Sequence, residues 1–190
     1  AMQKDISLEF VLNEQEEANR LLLGPTLTNQ RKVFYRELVA RYSHHPAVRW
    51  IITEENKFPN ADLKAFAGYI KTLDPYKHPI AVHTNVDSLE FYEGLLGDPN
   101  FDSASIQFYT IPGSADNASL FADTWRKKSA EKGRPWVIEL DEVILKEDSR
   151  YGMTKDNQDD LRRRVLYPGY FSGANISWYY GYDQDKGHGL

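Results

Sequence analysis

The chain has 190 residues, above the common domain size of about 100–150 and below the ~250 at which chains divide into several domains. Hydrophobic residues make up 41% and charged residues 27%, an ordinary globular balance that excludes a disordered chain. The net charge of -5 argues against a nucleic acid or an anionic membrane as the main partner, and the absence of Cys excludes disulfides, thiolate–metal sites and thiol nucleophiles.

No apolar run approaches the ~20 residues that span a bilayer. No stretch reads as a signal peptide. Ala1-Met2 reads as a cloning remnant, which leaves room for a preceding leader and a secreted or periplasmic protein; otherwise the expected place is the cytoplasm.

In chain order, Leu8 to Leu12 reads as a strand, and Thr28 to Tyr42 as a helix with Tyr35, Leu38, Val39 and Tyr42 on one face. Val48 to Thr53 is the second strand. Asn60 is the expected N-cap of a helix carrying Leu63, Phe66, Ala67, Ile70 and Leu73 at 3, 4, 7 spacing, stopped by Asp74-Pro75. Pro79 to His83 is the third strand, followed by a shorter helix from Ser88 to Leu96 that ends at Gly97.

Ala104 to Tyr109 is the fourth strand. A helix from Asp116 to Lys132 carries Phe121, Trp125 and Lys128 and closes at Gly133. Trp136 to Leu140 is the fifth strand. A helix from about Thr154 to Phe171 contains Pro168, which either breaks it or starts a new turn. Ile176 to Tyr180 is the sixth strand. Strands alternating with helices throughout predict an α/β fold of parallel strands in a single domain, residues 1–190. No Gly-rich loop follows any strand, so a dinucleotide or P-loop site is not expected, and neither is a cofactor. Asp183-x-Asp185-x-Gly187 lacks the downstream Glu of a calcium loop, and no metal is expected.

In parallel α/β folds, function concentrates where strands end. The ends here are Asn13-Glu14-Gln15-Glu16, Glu54-Glu55-Asn56, His83-Thr84-Asn85, Gln107-Phe108-Tyr109, Glu139-Leu140-Asp141-Glu142 and Trp178-Tyr179-Tyr180. Two acidic clusters with polar and aromatic neighbours suit the hydrolysis of a glycoside. One carboxyl group protonates the departing oxygen and the other attacks the anomeric carbon or activates water. An aromatic platform stacks on the sugar. The plain alternatives are solvated loop acids, a structural His83 and aromatics that only fill the core.

Glu55 and Glu142 lie about three βα units apart at roughly 30 residues each. That order and spacing resemble the clan of retaining (β/α)8 glycoside hydrolases, whose acid/base Glu ends the barrel's fourth strand and whose nucleophile ends the seventh. Trp50-Ile51-Ile52-Thr53-Glu54-Glu55 is similar to the clan's Trp, apolar strand, Asn-Glu pattern. The resemblance puts Glu55 in the acid/base slot and Glu54 where the clan has Asn. Gln107-Phe108-Tyr109 resembles a His-x-Tyr pair with Gln for His, and implies that Tyr109 orients the nucleophile. Trp178 resembles the Trp that floors the sugar subsite. Glu14, Asn56, His83, Gln107, Tyr109, Trp178 and Tyr180 are the expected substrate-binding residues.

More narrowly, Asn13 to Asp183 resembles a bacterial family of glycosidase-like proteins with an N-terminal domain of unknown function, often labelled collagen-binding. The matching runs include Glu14-Gln15-Glu16, Tyr35 to Tyr42, His44-His45-Pro46, Trp50 to Asn56, Leu73 to Tyr76, His78-Pro79-Ile80, Gly133 to Val137 and Tyr179 to Tyr182. The resemblance implies a partial barrel, strands three to eight, lacking the first two. Open edges then call for a homo-oligomer, a dimer first. It implies an O-glycoside hydrolase, or a fragment of one, acting on an oligosaccharide or polysaccharide with retention; the other reading is a carbohydrate-binding or structural barrel without turnover.

Strand alternation puts Glu139 and Asp141 on one face and Leu140 and Glu142 on the other. Counting from Pro135, the nucleophile slot has the parity of Glu142. Glu142 is therefore preferred and Glu139 is the alternative, with Glu54 the alternative to Glu55; a bulge at the strand end would reverse the choice between Glu142 and Glu139.

Overall fold

The computed structural model describes residues 6–14, 22–110, 118–145, 159 and 162–178. Six parallel strands in sequential order, β1-β2-β3-β4-β5-β6, alternate with helical segments, the architecture of a partial (β/α)8 barrel. The chain divides into two compact units, residues 1–84 with 88–103 and residues 85–87 with 104–190.

In the first unit β1 (Leu8–Val11) pairs with β2 (Val48–Ile51), and β2 with β3 (Ile80–Asn85). β2 and β3 are buried almost continuously, as strands covered on both faces must be. Helix α1 (Asn29–Tyr42) starts after Thr28, whose hydroxyl accepts the Arg31 N–H at 3.2 Å as an N-cap. Its buried stripe is Arg31, Tyr35 and Val39. The expected face differs: Leu38 is half-buried and Tyr42 is exposed, its ring resting on Phe10 at 4.7 Å.

Helix α2 (Asn60–Leu73) buries Leu63, Phe66, Ala67 and Ile70 as its spacing predicts. Its cap is Pro59, not Asn60: Asn60 is already helical, and its Nδ2 donates to the Phe91 carbonyl at 2.9 Å instead. Asp74 ends the helix. Its carboxylate accepts from Trp50 Nε1 at 3.1 Å and from the backbone N–H groups of Tyr76 and His78, both at 3.0 Å, and lies 2.8 Å from His78 Nδ1. The helix expected over Ser88–Leu96 is a 3-10 segment, Val86–Gly94.

In the second unit β4 (Ser103–Thr110) leads into α3 (Ala118–Glu131), which buries Ala118, Ala122, Trp125 and Ser129. Gly133 ends it in left-handed backbone, φ 79°, as expected of a C-cap. β5 runs from Val137 to Leu145, longer than expected, and pairs with β6 (Asn175–Trp178). Between them Arg162–Leu166 forms a π-helical turn and α4 (Tyr167–Phe171) follows, with Pro168 in its first turn where no backbone N–H is needed. α4 lies so close to the sheet that a Cβ on Gly169 would stand 2.8 Å from Ile176 Cδ1 and 3.1 Å from Leu140 Cδ1. Leu140 and Ile176 therefore face the helix layer. No helix among the described residues is long and apolar enough to cross a membrane.

Candidate active site

In the first unit the strand ends are tied together beyond the last ladder residues. Ile52 N–H donates to Ala81 O at 2.9 Å and His83 N–H to Thr53 O at 3.0 Å. Asn13, just past β1, donates its Nδ2–H to Ile52 O at 2.7 Å, and its own carbonyl accepts the Glu54 N–H at 2.8 Å. Asn56 N–H donates to His83 O at 3.3 Å. Glu54-Glu55-Asn56 is thus a short turn held on both sides. Glu55 occupies left-handed backbone, φ 41°, a conformation that costs a non-glycine residue about 1–2 kcal/mol.

Glu54, Glu55 and Asn56 are partly exposed, and Glu14 is exposed. His83 is buried, with a ring nitrogen within 4.8 Å of a Glu54 carboxylate oxygen. Asn56 turns inward on its own loop: its Oδ1 accepts from Phe58 N–H at 2.8 Å, and its Nδ2 donates to Phe58 O at 3.1 Å.

Beneath this turn lies a buried polar knot. The Arg31 guanidinium is fully buried and donates to Asn13 Oδ1 at 2.5 Å, Tyr35 Oη at 3.2 Å, Gly24 O at 2.5 Å and Thr26 O at 3.1 Å. It lies 4.4 Å above the Phe66 ring. Burial pushes the Tyr35 hydroxyl above its ordinary range, against the pull of the Arg31 charge and of hydrogen bonds from Asn13 and Arg31.

In the second unit, three side-chain pairs run across the strands. Ser177 Oγ donates to Glu139 Oε1 at 2.8 Å, Ser105 Oγ to Asp141 Oδ2 at 2.9 Å, and Gln107 Nε2 to Glu142 Oε2 at 2.8 Å. Ser105 and Gln107 are two residues apart and share one face of β4, yet their partners are neighbours. An extra residue is therefore inserted in β5. The register shift between Leu140 and Val143 and the left-handed backbone of Glu142, φ 44°, mark the bulge. Asp141 Oδ1 accepts the Glu142 N–H at 2.9 Å and secures it.

This corrects the alternation expected for β5. Leu140 faces the helices, and Glu142 does not follow it there: the bulge turns Glu142 to the face that carries Glu139 and Asp141. The bulge thus adds Glu142 to that face rather than exchanging it for Glu139. Glu139 is 5% exposed, deeper along the strand and bonded to Ser177. The side chains of Tyr109 and Trp178, and the whole of Tyr180, lie outside the described residues. Within the described side chains, Gln107 contacts Glu142.

Of the residues that make these contacts, Asn13 belongs to the first strand-end cluster, whereas Arg31, Ser105 and Ser177 lie outside all six. For Arg31 a signal existed: it stands four residues before Tyr35 and eight before Val39, on the buried stripe of α1.

Among the solved structures that share this fold are the following three. A protein provisionally named a glycoside hydrolase, from Bacteroides vulgatus, superposes with a TM-score of 0.63 at 17% identity, over 93% of this chain and 32% of its own. A β-glucuronidase from Ruminococcus gnavus gives 0.52 at 15% identity, over 78% and 28%. A β-glucuronidase from Faecalibacterium prausnitzii gives 0.50 at 18%, over 76% and 28%. The chain spans about a third of the length of these structures. No family model matches the sequence, and no curated protein matches it.

Proposed function

We propose that this chain carries the reacting carboxyl groups of an O-glycoside hydrolase that cleaves an oligosaccharide or polysaccharide with retention. The observation that carries this reading is the bulge within β5, which turns Glu142 out of the helix layer and sets its carboxylate against Gln107. Acids spent on the surface need no such device. The fold shared with glycoside hydrolases supports the same reading.

In the first step a Glu142 oxygen attacks the anomeric carbon. The bond from that carbon to the leaving oxygen breaks, and this oxygen takes the proton of the Glu55 carboxylic acid. In the second step the Glu55 carboxylate takes a proton from water, the water oxygen attacks the anomeric carbon, and the bond to Glu142 breaks. Gln107 holds Glu142 Oε2 and so fixes the rotamer for attack. Retention requires the two carboxyl groups about 5–5.5 Å apart, whereas inversion leaves about 6.5–9.5 Å for a water.

The test is hydrolysis of a panel of aryl glycosides, glucuronides included because two structural neighbours are β-glucuronidases. Glu142→Gln is expected to abolish turnover. Glu55→Gln is expected to leave the first step, read as kcat/KM, nearly unchanged for substrates whose leaving groups need no proton, and to lower kcat for all of them, because the second step loses its base. The anomer formed first, read by NMR, reports retention or inversion. Oligosaccharide binding by calorimetry without hydrolysis of any substrate would overturn the reading and identify a binding module. Full activity of Glu142→Gln would move the nucleophile to Glu139.

A further inference from the structure

The buried knot beneath the Glu54–Glu55 turn does more than fill the core. A fully buried guanidinium is costly to desolvate, and apolar side chains of similar volume often serve stability as well or better. What Arg31 supplies that an apolar residue would not is direction. Its hydrogen bonds reach the carbonyls of Gly24 and Thr26 on one side and Asn13 Oδ1 on the other. Asn13, so oriented, aims Nδ2 at Ile52 O while its own carbonyl receives Glu54 N–H. Tyr35 Oη accepts from both, at 3.2 Å from Arg31 Nη1 and 3.3 Å from Asn13 Nδ2. The two Asn13 contacts bracket Thr53 and end one residue before Glu55.

Left-handed backbone at a non-glycine residue persists only where its surroundings over-determine it. Asn56 N–H, bonded to His83 O, is the restraint on the far side of Glu55. The Asn13 clamp is the restraint on the near side.

We propose that Asn13 and Arg31 are positioning residues for the general acid: they fix the Ile52–Glu54 backbone and thereby aim the Glu55 carboxyl group at the departing oxygen. The inference rests on the glycosidase reading above. It assigns a role to two residues that touch no substrate.

The test uses two aryl glycosides of whichever sugar the panel selects, one with a phenol and one with a dinitrophenol leaving group, and the full-length protein. Phenol departs only with a proton from the acid; dinitrophenol departs without one. Asn13→Ala is expected to lower kcat/KM for the phenyl glycoside by about 100-fold, the cost of a misplacement near 1 Å, and to leave the dinitrophenyl glycoside nearly unchanged. A merely structural role would lower both together, and that outcome overturns the proposal.

Asn13→Asp keeps the acceptor for Arg31 and loses the Nδ2 donor, and with it the bonds to Ile52 O and Tyr35 Oη. It is expected to show the same split at smaller size, and it decides the matter if Asn13→Ala does not fold. Absence of turnover in the wild type overturns the glycosidase reading and this inference with it. Turnover in the wild type with equal losses on both substrates overturns the inference alone.

Discussion

Glu55 and Glu142 share a backbone conformation that their neighbours do not: Glu55, four residues past β2, and Glu142, at the bulge within β5, both stand in left-handed geometry, with φ of 41° and 44°. Among the described residues Lys77 is the remaining non-glycine residue with positive φ. Such geometry disfavours any side chain by about 1–2 kcal/mol, whereas glycine adopts it freely. Glu55→Gly is therefore expected to raise stability in urea unfolding by about 1 kcal/mol, the relief less the extra freedom glycine gains in the unfolded chain. Glu142→Gly loses the Gln107 hydrogen bond as well, a loss of about 1 kcal/mol, and should come out near neutral. A clear loss of stability in Glu55→Gly would show that the acidic side chain itself holds the turn.

The acid limb of stability should report on Asp74. Burial raises its carboxyl pKa, but hydrogen bonds from Trp50 and His78 side chains and from two backbone N–H groups outweigh that and hold it below the ordinary aspartate value. A pKa depressed in the folded state gives a stabilisation that is complete above the unfolded value, about 3.9, and is lost as pH falls through the folded value below it. Unfolding free energy should therefore drop below about pH 4. In Asp74→Asn it should start lower at neutral pH and fall less steeply in acid. Parallel curves for the two proteins in urea titrations across that range would remove Asp74 from the account.

The alternation of strands and helices was legible because each element carries its own period, and parallel strands buried on both faces read as apolar runs. The acids at the strand ends were legible for the same reason. What escaped was anything that depends on an added residue or a distant pairing. A period of two places Glu142 with Leu140, and only the bulge, secured by Asp141 on its neighbour's N–H, separates them. Asn60 has the side chain of an N-cap, but Pro59 already supplies the extended backbone and Asn60 is drawn to Phe91 O, 31 residues away. Arg31 falls on the buried stripe of α1, but what accommodates its charge there, Asn13 18 residues earlier and the Phe66 ring, is a distant pairing.

Among the described residues the sheet order ends in β1 on one side and β6 on the other, each with a single neighbour. Ile6 and Val11, beside and within β1, are 52% and 48% exposed. Apolar residues along a strand edge favour pairing with another chain. A dimer is the expected state, and light scattering at rising concentration checks it; a constant mass of 21.9 kDa would count against it.

The most local prediction concerns Asp141, which makes no contact that requires it to be a reactant. Its Oδ1 accepts the Glu142 N–H and its Oδ2 accepts the Ser105 hydroxyl, both at 2.9 Å, so one carboxylate joins the bulge to β4. Asp141→Ala leaves the fully buried Ser105 without that acceptor and frees the bulge, at a cost of about 1–3 kcal/mol. Glu142 would then relax from left-handed backbone and draw its carboxylate away from Gln107. If Glu142 is the nucleophile, turnover should fall by about 100-fold with every leaving group, because attack by Glu142 on the anomeric carbon is part of the first step whichever group departs. Asp141→Asn keeps an acceptor for the Glu142 N–H and should recover most of the rate. Ser105→Ala, which removes only the second bond, should lower stability more than rate. Equal rates in the Ala and Asn variants of Asp141 would show that the bulge holds Glu142 without it.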